Sequence, residues 1–145
     1  MKILDAGTTQ LANAEVLDHI QERHATWAKR EEEAKRRNGS IGTRPRNLDK
    51  VLTDAEFYLK LEPSPLANSP RFNTFEAVPR LCARLKGLGL TKPEVLQIIN
   101  FRPSASWFLT IIIEDFEARY PTEEQQQEIL HAVHEELGGN APILG

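Results

Sequence analysis

Three prolines, Pro63, Pro65 and Pro70, fall within eight residues of one another in the stretch 62–73. Each lacks a backbone N–H and has a fixed φ, so no helix runs through them. Ser64, Asn68 and Ser69 surround them, and the stretch reads as an extended linker. The chain therefore divides into an N-terminal arm over 1–62, the linker over 63–73, a C-terminal bundle over 74–138 and a tail over 139–145. A length of 145 residues allows a modest core and does not suit a large enzyme with a deep cleft.

In the arm, Ile3 and Leu4 form a short apolar pair, expected as a strand that needs another chain's sheet to join. Val16, Leu17, Ile20, His24 and Trp27 then recur at helical spacing behind Asn13, the expected N-cap. The stripe stops there, while charged helix formers run on through 29–37. A long helix with a solvated extension follows from that pattern, ended by Asn38, Gly39 and Ser40. After a loop over 38–47, Thr53 and Glu56 stand at capping-box spacing and open a second helix. Its apolar surface comes from Ala55, Phe57, Tyr58, Leu59 and Leu61. The arm has more apolar surface than so short a segment buries on itself. Ile3, Leu4, Val16, Leu17, Ile20 and Trp27 are therefore the expected partner-binding residues.

The bundle is expected to be all helix. Pro79 suits a first turn, so the first helix is placed at 79–87, with 74–78 as a kinked turn. Leu81, Cys82, Leu85 and Leu88 form its inner face, and Gly87 and Gly89 close it. Thr91 and Glu94 make a second capping box, opening a helix with Val95, Leu96, Ile98 and Ile99 that ends at Asn100. Ser104 caps the next helix, whose buried face is Trp107, Phe108, Ile111, Ile112 and Phe116. Thr122 and Gln125 make a third box before Ile129, Leu130, Val133 and Leu137.

Candidate chemistry is sparse. Gly87-Leu88-Gly89 lacks the third glycine of a phosphate loop and follows no strand. The one cysteine, Cys82, excludes an internal disulfide and is expected as a buried structural residue. His131 and His134, three apart, flank an apolar stripe and lack a third metal ligand. His19 and His24 read as incidental. No catalytic, cofactor-binding or metal-binding residue is assigned. The longest apolar run, Trp107 to Ile113, is too short to span a membrane.

Charge is spread unevenly. The net is −3, but 23–46 holds eight basic and three acidic residues, a balance of +5. The stretch 110–137 holds eight acids against Arg119 alone, a balance of −7. Opposite fields on the two parts suggest docking in a larger assembly. Glu114, Asp115 and Glu117 fit a solvated or docking face. Glu31, Glu32 and Glu33 pair the basic run internally, so only weak nucleic-acid contact is expected.

The residues Leu90 to Glu94, followed by Leu96-Gln97-x-x-Asn100-x-Arg102-Pro103, resemble the small stalk subunit of RNA polymerase III, the calcitonin gene-related peptide receptor component protein family. Met1 to Leu4, Leu11 to Leu17 and Thr122 to Gln125 extend the resemblance, which covers 1–28 and 74–137. It implies a mainly α fold: a strand-and-helix arm, then a bundle similar to the C-terminal domain of RecQ helicases. It also implies a non-catalytic nuclear subunit without cofactors. The implied partners are a larger stalk subunit with an OB-fold, the polymerase core and initiation factors. The rival reading is a stand-alone helical module for nucleic-acid or protein binding.

Overall fold

The computed structural model describes residues 9–37, 39, 45–62, 64–67 and 72–138. The described residues form helices and connecting turns: α1 (Asn13–Arg36), α2 (Arg46–Leu59), α3 (Thr74–Leu85), a 3₁₀ turn (Lys86–Leu88), α4 (Lys92–Phe101), α5 (Ser106–Ile112), α6 (Phe116–Arg119) and α7 (Glu123–Leu137). The expected strand at Ile3 and Leu4 lies outside the described residues. The chain divides into two compact units after Tyr58.

In the first unit, α1 begins one residue earlier than the sequence suggests. Ala12 occupies the N-cap, and alanine has no acceptor to offer. Glu15 supplies the cap instead, its carboxylate accepting from the Ala12 N–H at 2.7 Å. The helix then runs through the charged extension to Arg36. Helix α2 starts at Arg46, well before the expected box at Thr53. The Thr53 hydroxyl donates to the Asp49 carbonyl at 2.9 Å, as a threonine inside a helix does. His24 of α1 meets Glu56 of α2, Nδ1 to Oε2 at 3.2 Å.

Residues 64–67 of the expected linker form turns, where the composition implies extended chain. The Ser64 N–H donates to the Leu61 carbonyl at 2.9 Å and the Ala67 N–H to the Ser64 carbonyl at 3.0 Å. Leu66 between them is buried.

In the second unit, α3 packs along α7, and α4 and α5 close over the same helix. Leu81, Leu85, Ile98, Leu109, Ile129, Leu130, Val133 and Leu137 are fully buried. Three sequence expectations change here. Helix α3 runs straight through Pro79, which is exposed in its second turn. The missing hydrogen bond costs about 3 kcal/mol in a helix interior. Two features offset it: Asn73 caps the Phe75 N–H at 3.2 Å, and Thr74 and Ala77 are buried. Cys82 is exposed, because the inner stripe is Thr74, Ala77, Leu81 and Leu85, and Cys82 stands one residue, about 100°, off it. The single helix expected after Ser104 is two short ones. It starts at Ser106 behind Ala105 and breaks at Ile113, whose φ of −104° and ψ of 124° are extended. The buried residues are Ala105, Leu109, Ile113 and Phe116, which leaves Trp107 and Ile111 outside.

Candidate partner-binding surfaces

The expected partner-binding residues separate by burial. Leu17 and Ile20 are 1% and 2% exposed, so they belong to the chain's own interior and not to its free surface. Val16 and Trp27 are half-buried, and the Arg30 guanidinium lies 5.7 Å from the Trp27 ring. Ile3 and Leu4 lie outside the described residues. Sequence reasoning placed the docking stripe on α1; in the first unit α2 exposes large apolar side chains as well. Leu48, Val51 and Tyr58 are exposed, and with half-buried Ala55 they recur at helical spacing on one side of α2. Phe57 and Leu61 are exposed as well. Ala55, Phe57, Tyr58 and Leu59 of α2 were legible in the sequence, whereas Leu48 and Val51 fell before the expected helix start. Which of them face inward was not legible, because an amphipathic pattern names a face without naming what covers it.

The motif from Leu96 to Pro103 builds the corner between α4 and α5. Leu96 and Asn100 are half-buried, Gln97 is exposed and Pro103 is buried. Arg102 is the C-cap of α4 in the left-handed region, φ 45° and ψ 64°, its N–H returning to the Ile98 carbonyl at 2.9 Å. Its guanidinium donates to the Leu137 carbonyl at 3.1 Å and lies 5.2 Å from the Phe72 ring. A cation at the last carbonyls of α7 is well placed against the helix dipole. Burial lowers the Arg102 pKa, yet an arginine remains charged in that position. The motif therefore ties the corner to the end of α7.

A second knot centres on Glu94, which is buried although charged. Its Oε2 accepts from the Thr91 N–H at 2.7 Å, completing the expected box. Its Oε1 accepts from the Glu114 N–H at 3.3 Å and from Arg119 Nη1 at 2.5 Å. Arg119 also donates to the Glu114 carbonyl at 3.1 Å and the Gly89 carbonyl at 2.8 Å. Gly89 stands at φ 72°, a left-handed turn that glycine makes without strain. Burial works against ionisation of Glu94, but the bonds from Arg119 and Thr91 outweigh it and lower its pKa from 4.5 to about 2. Arg80 and Arg84 of α3 are engaged too, Arg80 Nε with Glu136 at 2.7 Å and Arg84 with Glu135. The bundle's arginines among the described residues are thus committed to internal bonds. Of the histidines weighed as ligands, His131 is exposed and His134 half-buried. No cluster of three metal-ligating side chains forms among the described residues.

None of these groupings is a catalytic constellation. They are a braced bundle and an arm with an open apolar face. Residues 10–137 match the family described as RNA polymerase Rpb4. The chain belongs to the Rpb4 family. As an Rpb4-family protein it is a non-catalytic stalk subunit of RNA polymerase and part of the transcription machinery. Rpb4-family members pair with a larger stalk subunit within the polymerase, which suits a chain with an uncovered apolar helix face.

Proposed function

We propose that this Rpb4-family chain serves RNA polymerase III in the nucleus, as half of a stalk heterodimer that supports initiation at small RNA genes. The other half is a larger subunit carrying an OB-fold, and the heterodimer meets the polymerase core and initiation factors. The observation that carries the pairing is the exposed row Leu48, Val51 and Tyr58 on α2. Covering such a row removes apolar surface from water at about 25 cal/mol per Å². The half-buried Val16 and Trp27 of α1, together with Ile3 and Leu4, supply the rest of the proposed surface, and the buried Leu17 and Ile20 lie on the same helix. The assignment to the third polymerase is supported by the order and spacing of Leu96, Gln97, Asn100, Arg102 and Pro103. Purification of the chain from its native source, with mass spectrometry of what accompanies it, tests the proposal. Subunits unique to RNA polymerase III are expected to dominate. Recovery with subunits unique to another polymerase would overturn the assignment and leave the family membership intact.

A further inference from the structure

The bundle carries an apolar surface that its own core leaves uncovered. Phe101 at the end of α4 is 48% exposed, and Trp107 and Ile111 on α5 are 65% and 71% exposed. Trp107 stacks on Phe108 with ring centroids 5.4 Å apart and planes 20° apart. Phe108 in turn meets Phe101 at 5.9 Å. Three rings and an isoleucine therefore form one platform. Trp107 and Ile111 stand one turn apart, about 6 Å along the helix.

One end of this platform is acidic. Glu114 and Asp115 come after α5, separated from it by the buried Ile113, and are exposed, as is Glu117 on α6. Their position is fixed by the knot below them: the Glu114 N–H is held by Glu94 and its carbonyl by Arg119. Two arginines of the bundle are engaged elsewhere: Arg119 binds the Glu94 carboxylate and Arg102 the end of α7.

We propose that this surface docks a short amphipathic helix of a partner protein. Its apolar side chains, spaced three and four apart, lie against Phe101, Trp107 and Ile111. Its Lys or Arg side chains meet Glu114 and Asp115. Two other occupants fit the charges poorly. Bases stacked on the rings would bring phosphates against the carboxylates. A second copy paired about a two-fold axis would face one acidic stretch with another, since 110–137 carries a balance of −7. The inference does not depend on which polymerase the chain serves.

The test uses the full chain and a fluorescently labelled 18-residue peptide. The peptide carries Leu and Phe at helical spacing and Lys in its last two turns; a twin has Glu for Lys. Anisotropy at physiological salt is expected to give a Kd on the order of tens of micromolar for the Lys peptide, at least about tenfold tighter than for its twin. Trp107→Ser/Ile111→Ser is expected to weaken binding about tenfold or more, with unchanged helical circular dichroism and unchanged assembly with the larger stalk subunit. Glu114→Lys/Asp115→Asn, which keeps a residue tolerant of Asp115's φ of 51°, is expected to remove the preference for Lys. The proposal is overturned by equal binding of the two peptides, by no binding of either, or by undiminished binding to the Trp107→Ser/Ile111→Ser chain. Self-association of the wild type that this double variant abolishes would give the platform to a second copy. Displacement of the Lys peptide by single-stranded RNA, with RNA binding lost in the same variant, would give it to nucleic acid. Loss of stalk assembly in that variant would place the platform in the stalk pairing. Each of these three also overturns it.

Discussion

Arg119 reaches back twenty-five residues to Glu94 and binds both of its carboxylate oxygens, at 2.5 and 3.3 Å. That bond joins the start of α4 to the turn after α5, and it predicts how stability responds to acid. The Glu94 pKa is lowered from 4.5 to about 2 in the folded chain, so its contribution is complete above pH 4.5 and is lost as pH falls toward 2. A shift of that size corresponds to roughly 3 kcal/mol. Glu94→Gln is expected to lose about that much at neutral pH and to flatten the stability profile between pH 4.5 and 2. Urea unfolding followed by circular dichroism across that range measures it. An unchanged acid limb in Glu94→Gln would assign the acid sensitivity to other carboxylates.

Arg102 combines a left-handed backbone with a side chain that caps α7. Arg102→Ala and Arg102→Gly both remove the cap, but only alanine keeps a Cβ at φ 45°. Both variants are expected to be less stable than the wild type, with alanine the worse by about 1 kcal/mol. Thermal unfolding of the pair separates backbone strain from the lost cap. Equal stability would mean that the corner relaxes its φ when the guanidinium is removed.

On α2, Val51→Asp/Tyr58→Asp puts two carboxylates into the proposed stalk contact, where desolvation is costly. Co-expression with the larger stalk subunit is expected to show at least about a hundredfold loss of affinity, while α3 to α7 keep their helical signal. A stable one-to-one complex of this variant would move the main contact off α2.

Nucleic acid gives a fourth prediction. In the bundle, Arg80, Arg84, Arg102 and Arg119 are all bound to carboxylates or carbonyls of the chain itself. On α1 the basic run is offset by Glu31, Glu32 and Glu33, with Arg36 paired to Glu32 at 3.9 Å. Phosphate binding needs clustered, available cations. Anisotropy of labelled single-stranded RNA at physiological salt is therefore expected to show a Kd above about 10 μM for the isolated chain. Submicromolar binding would point to the basic stretch of α1.

Local, directional signals were legible in part: the Thr53/Glu56 spacing lies inside α2, and the caps expected at Asn13 and Ser104 fall at Ala12 and Ala105. The boxes at Thr91/Glu94 and Thr122/Gln125 start α4 and α7 where their spacing puts them. Continuous apolar runs carry no such direction. Between Trp107 and Ile113 only Thr110 is polar, so the run does not tell which residues face inward. The inward set was set by the break at Ile113, and that break depends on Glu94 binding a backbone N–H twenty residues away. Pro79 was misplaced for a related reason: a helix tolerates a proline when the freed carbonyl faces water and the opposite side is buried. The exposed row on α2 was hidden because the capping-box spacing at Thr53 put the helix start too late and left Leu48 and Val51 outside it.

Helix α6 is four residues long, a single turn from Phe116 to Arg119. A turn that short does not nucleate in isolation, since it fixes several dihedral angles for one hydrogen bond. It exists because its last residue is held by Glu94 and because its first residue, Phe116, and the following Tyr120 are buried. The Tyr120 amide, bonded to the Phe116 carbonyl at 2.8 Å, is therefore not a reporter of local fraying. Its exchange with deuterium is expected to track opening of the whole bundle, which makes a segment that cannot stand alone a sensor of the core.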